Sequence, residues 1–260
     1  MIRDTLSKLF RWRPSTETLY AAVVGLVVLG LSAAMIPARE MPWANILLRD
    51  VGMVLFAGIF LPLFHILRSG GHFDEFGLTL KRWHIGLPIN LILGSLLLDR
   101  FLLENPPGGI QFDFITFTEI IYIFMAGVFE VVFFYSFLRT LFERAFGIIP
   151  GILLAALFYS FHHLGFQPEF GKLFFVGLMY AIVFRIGNSA LLIYPFFWGV
   201  GACYDVLVQS EVVSPILYSG IRSLYLTISI FAMILWFWKY AKAKPPPSLT
   251  QSIVHPLSPR

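Results

Sequence analysis

A chain of 260 residues with 58% hydrophobic and only 13% charged side chains lies far from the roughly one-quarter charged composition of soluble domains, which excludes a soluble fold. Its 19 Lys and Arg against 15 Asp and Glu do not indicate nucleic acid, because the cations sit between apolar runs and form no basic patch. The single cysteine, Cys203, excludes a disulfide framework and a cysteine-based metal site within one chain.

The first eighteen residues, 1–18, are basic and amphipathic and have no convincing cleavage site behind them, so the segment is expected to be retained at the membrane surface. A spanning helix needs about 20 mostly apolar residues. Eight segments meet that requirement: Leu19 to Pro37, Asn45 to Leu67, His84 to Leu103, Ile115 to Phe142, Ile148 to Leu164, Phe170 to Phe184, Ser189 to Val208 and Leu217 to Tyr240. The sixth reads as short, and the fourth as long enough to tilt or project. Breakers mark the connections at Ser69-Gly70-Gly71, Pro106-Pro107-Gly108-Gly109, Gly147 and Gly187-Asn188. The proline-rich end, 244–260, reads as a tail.

Cytoplasmic loops are enriched in Lys and Arg. With eight spans, one side collects Arg3, Lys8, Arg11, Arg13, Arg68, Lys81, Arg82, Arg139, Arg144, Arg185, Lys239, Lys242, Lys244 and Arg260. The other collects Arg39, Arg49, Arg100, Lys172 and Arg222. The expected architecture is an all-α, polytopic membrane bundle of about eight helices in the cell membrane, with both termini cytoplasmic. Trp12, Trp43, Trp83, Trp236 and Trp238 fall near span ends, as an aromatic belt requires.

Ionisable groups inside hydrocarbon are costly and mark function by default. Asp50, Asp99 and Arg100 lie near predicted ends, where snorkelling or pairing with each other accounts for them. Glu130, His162, His163 and Asp205 lie within spans four, five and seven. Glu130 has no cation within a turn, so another helix must supply its partner. Glu119, eleven residues earlier, shares its face with Tyr122 and Ala126; that stripe is expected to face the bundle interior. Adjacent histidines on a helix point about 100° apart, so His162 and His163 are not expected to grip one metal, and no metal or cofactor is expected. Phe158 stands one turn before His162. Counted from the cytoplasmic ends, Glu130, His162 and Asp205 lie at similar depth and can meet if their helices pack together. A carboxylate and an imidazole so placed can activate water; as a bland alternative, the same groups are interhelical hydrogen bonds.

In order and spacing these residues resemble the motifs of the CPBP family, which includes type II CAAX prenyl endopeptidases, bacteriocin-processing and self-immunity proteins, and lysostaphin-resistance-protein-A-like proteins. Glu130-Val131-Val132-Phe133-Phe134-Tyr135-Ser136-Phe137-Leu138 is similar to E-E-x-x-F-R-G-x-L, Phe158 to His162 is a full F-x-x-x-H, and Gly201-Ala202-Cys203-Tyr204-Asp205 resembles H-x-x-x-N/D without its histidine. The resemblance covers about Ile115 to Val208. It implies a CPBP-like core at 115–208 between N-terminal spans (19–114) and a last span (209–243). It also implies proteolysis in or beside the membrane, with Glu130 as base, His162 as its partner and Asp205 as an orienting group. Val131, Tyr135 and Gly201 replace the family's second Glu, Arg and third-motif His; Tyr135 can still donate a hydrogen bond, and Glu119 can supply a second carboxylate.

Two functions follow. One is an intramembrane endopeptidase acting on a peptide or prenylated protein. The other is a catalytically silent relative that binds or scaffolds other membrane protein subunits. A transporter resting on the Glu119–Glu130 stripe is a third. Membrane lipids are the expected surroundings of all three.

Overall fold

The computed structural model describes residues 2–38, 40–104, 113–165, 167, 169–208 and 216–243. The proline-rich end, 244–260, and the Pro-Pro-Gly-Gly connection lie outside them. Nine helices of eight residues or more carry the described chain: α1 Ile2–Leu9, α2 Thr16–Ala34, α3 Pro42–Arg68, α4 Trp83–Glu104, α5 Phe114–Phe146, α6 Ile148–His162, α7 Phe170–Gly187, α8 Pro195–Leu207 and α9 Ser219–Ala243; single turns lie at Phe73–Phe76 and Ala190–Ile193. There is no strand among the described residues, and the protein is an all-α polytopic membrane bundle.

The helix boundaries follow local chemistry. Ser15 and Thr18 form a reciprocal capping box at the start of α2, which satisfies donors that the first turn leaves open. Asp113 accepts from the Thr116 N–H at 2.7 Å to cap α5, and that bond holds its carboxyl below the ordinary value. Proline occupies the first turn of α3 and of α8, where a missing N–H costs nothing. Asn188 closes α7 in the left-handed region, with φ of 43°.

All eight apolar segments are helical, but their lengths differ from expectation. Six helices are long and apolar enough to cross a membrane. The sixth segment, read as short, is the 18-residue α7, whereas α6 and α8 have only 15 and 13 residues, about 22 and 20 Å. The apolar run behind α6 continues through His163 and Leu164, yet the backbone turns at His163. Hydropathy alone does not register that stop.

Helix α5 is the axis of the bundle, packing against α3, α6, α7, α8 and α9. Its 33 residues contain a wide-turned stretch at Val131–Leu138, and α3 contains another at Ile46–Phe60. Close approach of α3 and α5 depends on Gly58, where a β-carbon would lie 1.8 Å from Phe129 Cδ2. Outward faces keep Leu26, Leu96, Ile228 and Leu235 exposed, as lipid contact requires. Trp12, Trp43, Trp83, Trp236 and Trp238 are exposed near helix ends, while Trp198 is buried.

The N-terminal segment docks onto the α5–α6 turn. The Arg11 and Arg13 N–H groups donate to Phe146 and Ala145 carbonyls at 2.9 and 2.7 Å, satisfying acceptors that the end of α5 leaves open. Gly147 permits this with φ of 93°, and a β-carbon there would lie 2.5 Å from the Leu9 carbonyl oxygen. Gly147→Ala combines a left-handed backbone cost of about 1–2 kcal/mol with that clash. Faster hydrogen exchange at Arg11 and Arg13 is the expected readout; unchanged protection at both amides would contradict it.

Asp50 does not snorkel and does not pair with Arg100. It is fully buried and accepts from Arg222 Nε and Nη2 at 2.7 and 2.8 Å, from the Tyr122 hydroxyl at 2.6 Å, and from the Tyr225 hydroxyl. Arg222 Nη2 also donates to the Tyr122 oxygen at 2.7 Å. One fork-to-fork ion pair thus locks α3, α5 and α9 together. Arg100 instead donates to Glu104 at 2.9 Å on the exposed side of α4, and Asp99 is exposed beside it.

Candidate functional site

Glu130 is the middle residue of α5, and α6 stops at its level. Its carboxylate meets two imidazoles: Oε1 lies 3.6 Å from His162 Nε2 and 3.9 Å from His163 Nε2. The histidine side chains are 1% and 6% exposed and the Glu130 side chain 20%, so the group is largely enclosed.

Both histidines turn the same way, contrary to the 100° separation expected of neighbours on a helix. His162 and His163 follow Tyr159 by three and four residues, which places both beside it on the helix surface, and the helix stops at His163, at φ −81° and ψ −5°. Both Nδ1 atoms lie against one acceptor, the Tyr159 carbonyl, at 3.0 Å for His163 and in close contact for His162. A carbonyl accepts only, so each Nδ1 carries the hydrogen and each Nε2 presents its lone pair toward Glu130. Three acceptors therefore converge, with the nitrogen-to-carboxylate gaps beyond direct hydrogen-bond range. Such a group is stable only with a proton, a water or a cation between its members.

The donor set suits a divalent ion of the zinc class, and the three ligand atoms lie within 4.8 Å of one another. Tetrahedral coordination with bonds of about 2.1 Å places ligands about 3.4 Å apart, close to the two nitrogen-to-carboxylate distances. The Tyr159 carbonyl would be the group that orients both imidazoles. A bound ion would supply Lewis acidity and a more acidic water. The geometric objection to a shared metal, drawn from helical phase, does not hold, because both Nε2 atoms reach the one carboxylate.

Aromatic rings hold the imidazoles in place. Phe134, Tyr159 and Phe129 have ring centres 4.5, 5.2 and 5.6 Å from that of His162. Ser32, which sequence reasoning missed, fixes the turn beneath them: its hydroxyl donates to the His162 carbonyl and accepts from the Gly165 N–H at 3.1 Å. A lone serine late in the apolar run of α2 is the only signal that pointed to it.

The wide turns after Glu130 also have a consequence. At about four and a half residues per turn, Tyr135 lies roughly 45° around α5 from Glu130, whereas an ordinary helix would put it about 140° away. Its hydroxyl is buried, and its ring packs against Tyr159 and stacks on Phe184, with ring centres 5.6 and 5.2 Å away.

The remaining expected site residues are placed as follows. Asp205 stands outside the group formed by Glu130, His162 and His163, and makes no hydrogen bond or ion pair with Glu130 among the described residues. Phe158 points away, onto Gly25 of α2 and Phe142. Gly201 faces Leu97 of α4 at ordinary contact distance. Tyr122 and Ala126 are buried, as the stripe reading requires. Glu119 does not reach Glu130; its carboxylate accepts from the Ile216 N–H at 2.9 Å, because eleven residues of helix separate the two acids by about 16 Å. Comparison with protein-family models, curated proteins and solved structures finds no match.

Proposed function

We propose that this protein is an intramembrane hydrolase of the CPBP protease type, in a bundle that crosses the cell membrane eight times with both ends on the Lys- and Arg-rich cytoplasmic side. It cuts a peptide bond, in a membrane or prenylated peptide, with water activated by Glu130. The observation that carries this reading is the convergence of Glu130 with two imidazoles at 3.6 and 3.9 Å, beside a helix that stops at mid-bundle.

Water fits between three acceptors by donating one hydrogen to Glu130 and the other to an imidazole Nε2, which leaves an oxygen lone pair for attack. Glu130 takes the first proton as the oxygen bonds to the peptide carbon, and returns it to the departing amine nitrogen. The neutral imidazoles hold the water and keep it oriented. In this reading the Tyr135 hydroxyl, at the position where the resembled family has arginine, donates to the carbonyl oxygen as it gains charge.

The test is cleavage by the purified protein in liposomes, read by mass spectrometry against transmembrane and prenylated peptides. Cleavage should fall roughly 10²–10⁴-fold in His162→Ala. Tyr135→Phe should lower kcat about 10²–10³-fold with KM unchanged, as loss of an oxyanion donor does. No cleavage of any peptide, together with loss of a co-purifying membrane subunit in His162→Ala, would favour the silent, scaffolding relative.

A further inference from the structure

A second polar site lies at the opposite end of α6 from the histidines. Where α5 turns into α6, a cleft of about 500 Å³ is lined by Lys8, Arg11, Arg82, Arg139, Arg144 and Arg185, with only Glu75 and Glu143 as acids. Six cations against two carboxylates leave a formal charge of four, equal to the net charge of the whole chain.

The carboxylates are already engaged. Glu75 accepts from Arg144 at 2.6 Å; Glu143 accepts from Arg139 at 2.8 Å and lies 3.4 Å from Arg185. Lys8, Arg11 and Arg82 have no carboxylate partner among the described residues. Like charges held together repel unless an anion joins them.

The cleft is also fixed rather than incidental. Its cations come from four separate stretches of chain. Arg139 is 4% exposed and donates through Nε to the Tyr135 carbonyl at 2.7 Å. Arg11 is held by its backbone bond to Phe146.

We propose that this cleft binds a phosphate group, presented by the headgroup of an anionic phospholipid or as a free anion. Five of the six cations are arginines, whose planar forks match phosphate oxygens. The spanning-length helices α4, α5 and α7 begin or end beside the cleft, and basic pockets between membrane helices bind such headgroups. Arg139 stands nine residues along α5 from Glu130, so the site is separate from the hydrolytic centre and does not rest on that reading.

The test uses the full chain in nanodiscs of phosphatidylcholine, with or without phosphatidylglycerol. Native mass spectrometry counts retained lipid, and a calorimetric titration with inorganic phosphate forms a second arm. The wild type should retain phosphatidylglycerol over phosphatidylcholine. Arg11→Gln/Arg82→Gln should weaken that retention roughly 10- to 30-fold, and Lys239→Gln/Lys242→Gln, which removes equal charge from α9, should not. Phosphate binding without phosphatidylglycerol retention, lost in the Arg11/Arg82 variant, would support the cleft with a free anion as its occupant. Binding of neither, or equal weakening in both double variants, would overturn the proposal.

Discussion

Arg222→Ala is expected to destabilise the bundle by about 3–5 kcal/mol, the cost of leaving a buried charge without its partner. Asp50 is fully buried and takes two of its four donors from that guanidinium. The Tyr122 and Tyr225 hydroxyls remain, but they bring no positive charge. Water cannot readily replace the lost donors at a helix junction enclosed by α3, α5 and α9. Denaturant unfolding in micelles measures the effect. Asp50→Leu/Arg222→Met, which removes both charges, should recover part of the loss, with the two tyrosine hydroxyls limiting recovery. A loss below about 1 kcal/mol would place this pair among solvent-screened ion pairs and contradict its burial.

Glu130→Gln should leave the fold intact and lower the hydrolytic rate on the order of 10³–10⁴-fold, the upper range for a general base. Glutamine preserves volume and oxygen placement but cannot accept the water proton. Its amide hydrogens would also face two Nε2 lone pairs, filling the space meant for water. The unfolding midpoint should stay the same or rise, because the variant removes a charge from an aromatic enclosure. Equal losses of stability and activity would assign Glu130 to interhelical structure instead.

The fold was the more legible part of the sequence. Apolar runs of spanning length define membrane helices because backbone groups in lipid must bond within their own segment, and the breakers at Gly70, Gly147 and Asn188 mark turns through backbone conformation alone. Glu130 stands out for the same reason: a lone acid among Phe and Val must meet a partner from elsewhere. Three features left no such mark. The stop of α6 at His162 depends on Ser32, 130 residues away. The Asp50–Arg222 pair spans 172 residues, and each member alone resembles a charge at a helix end. The wide turns that bring Tyr135 toward Glu130 arise from packing around α5 and have no hydropathy signature.

The most direct measurement compares new peptide termini in membranes from cells making wild-type protein or Glu130→Gln at matched abundance. A set of cleaved termini, adjacent to apolar or prenylated segments, should be present with the wild type and absent with the variant. Identical sets of termini in the two membranes would contradict the hydrolytic role of Glu130.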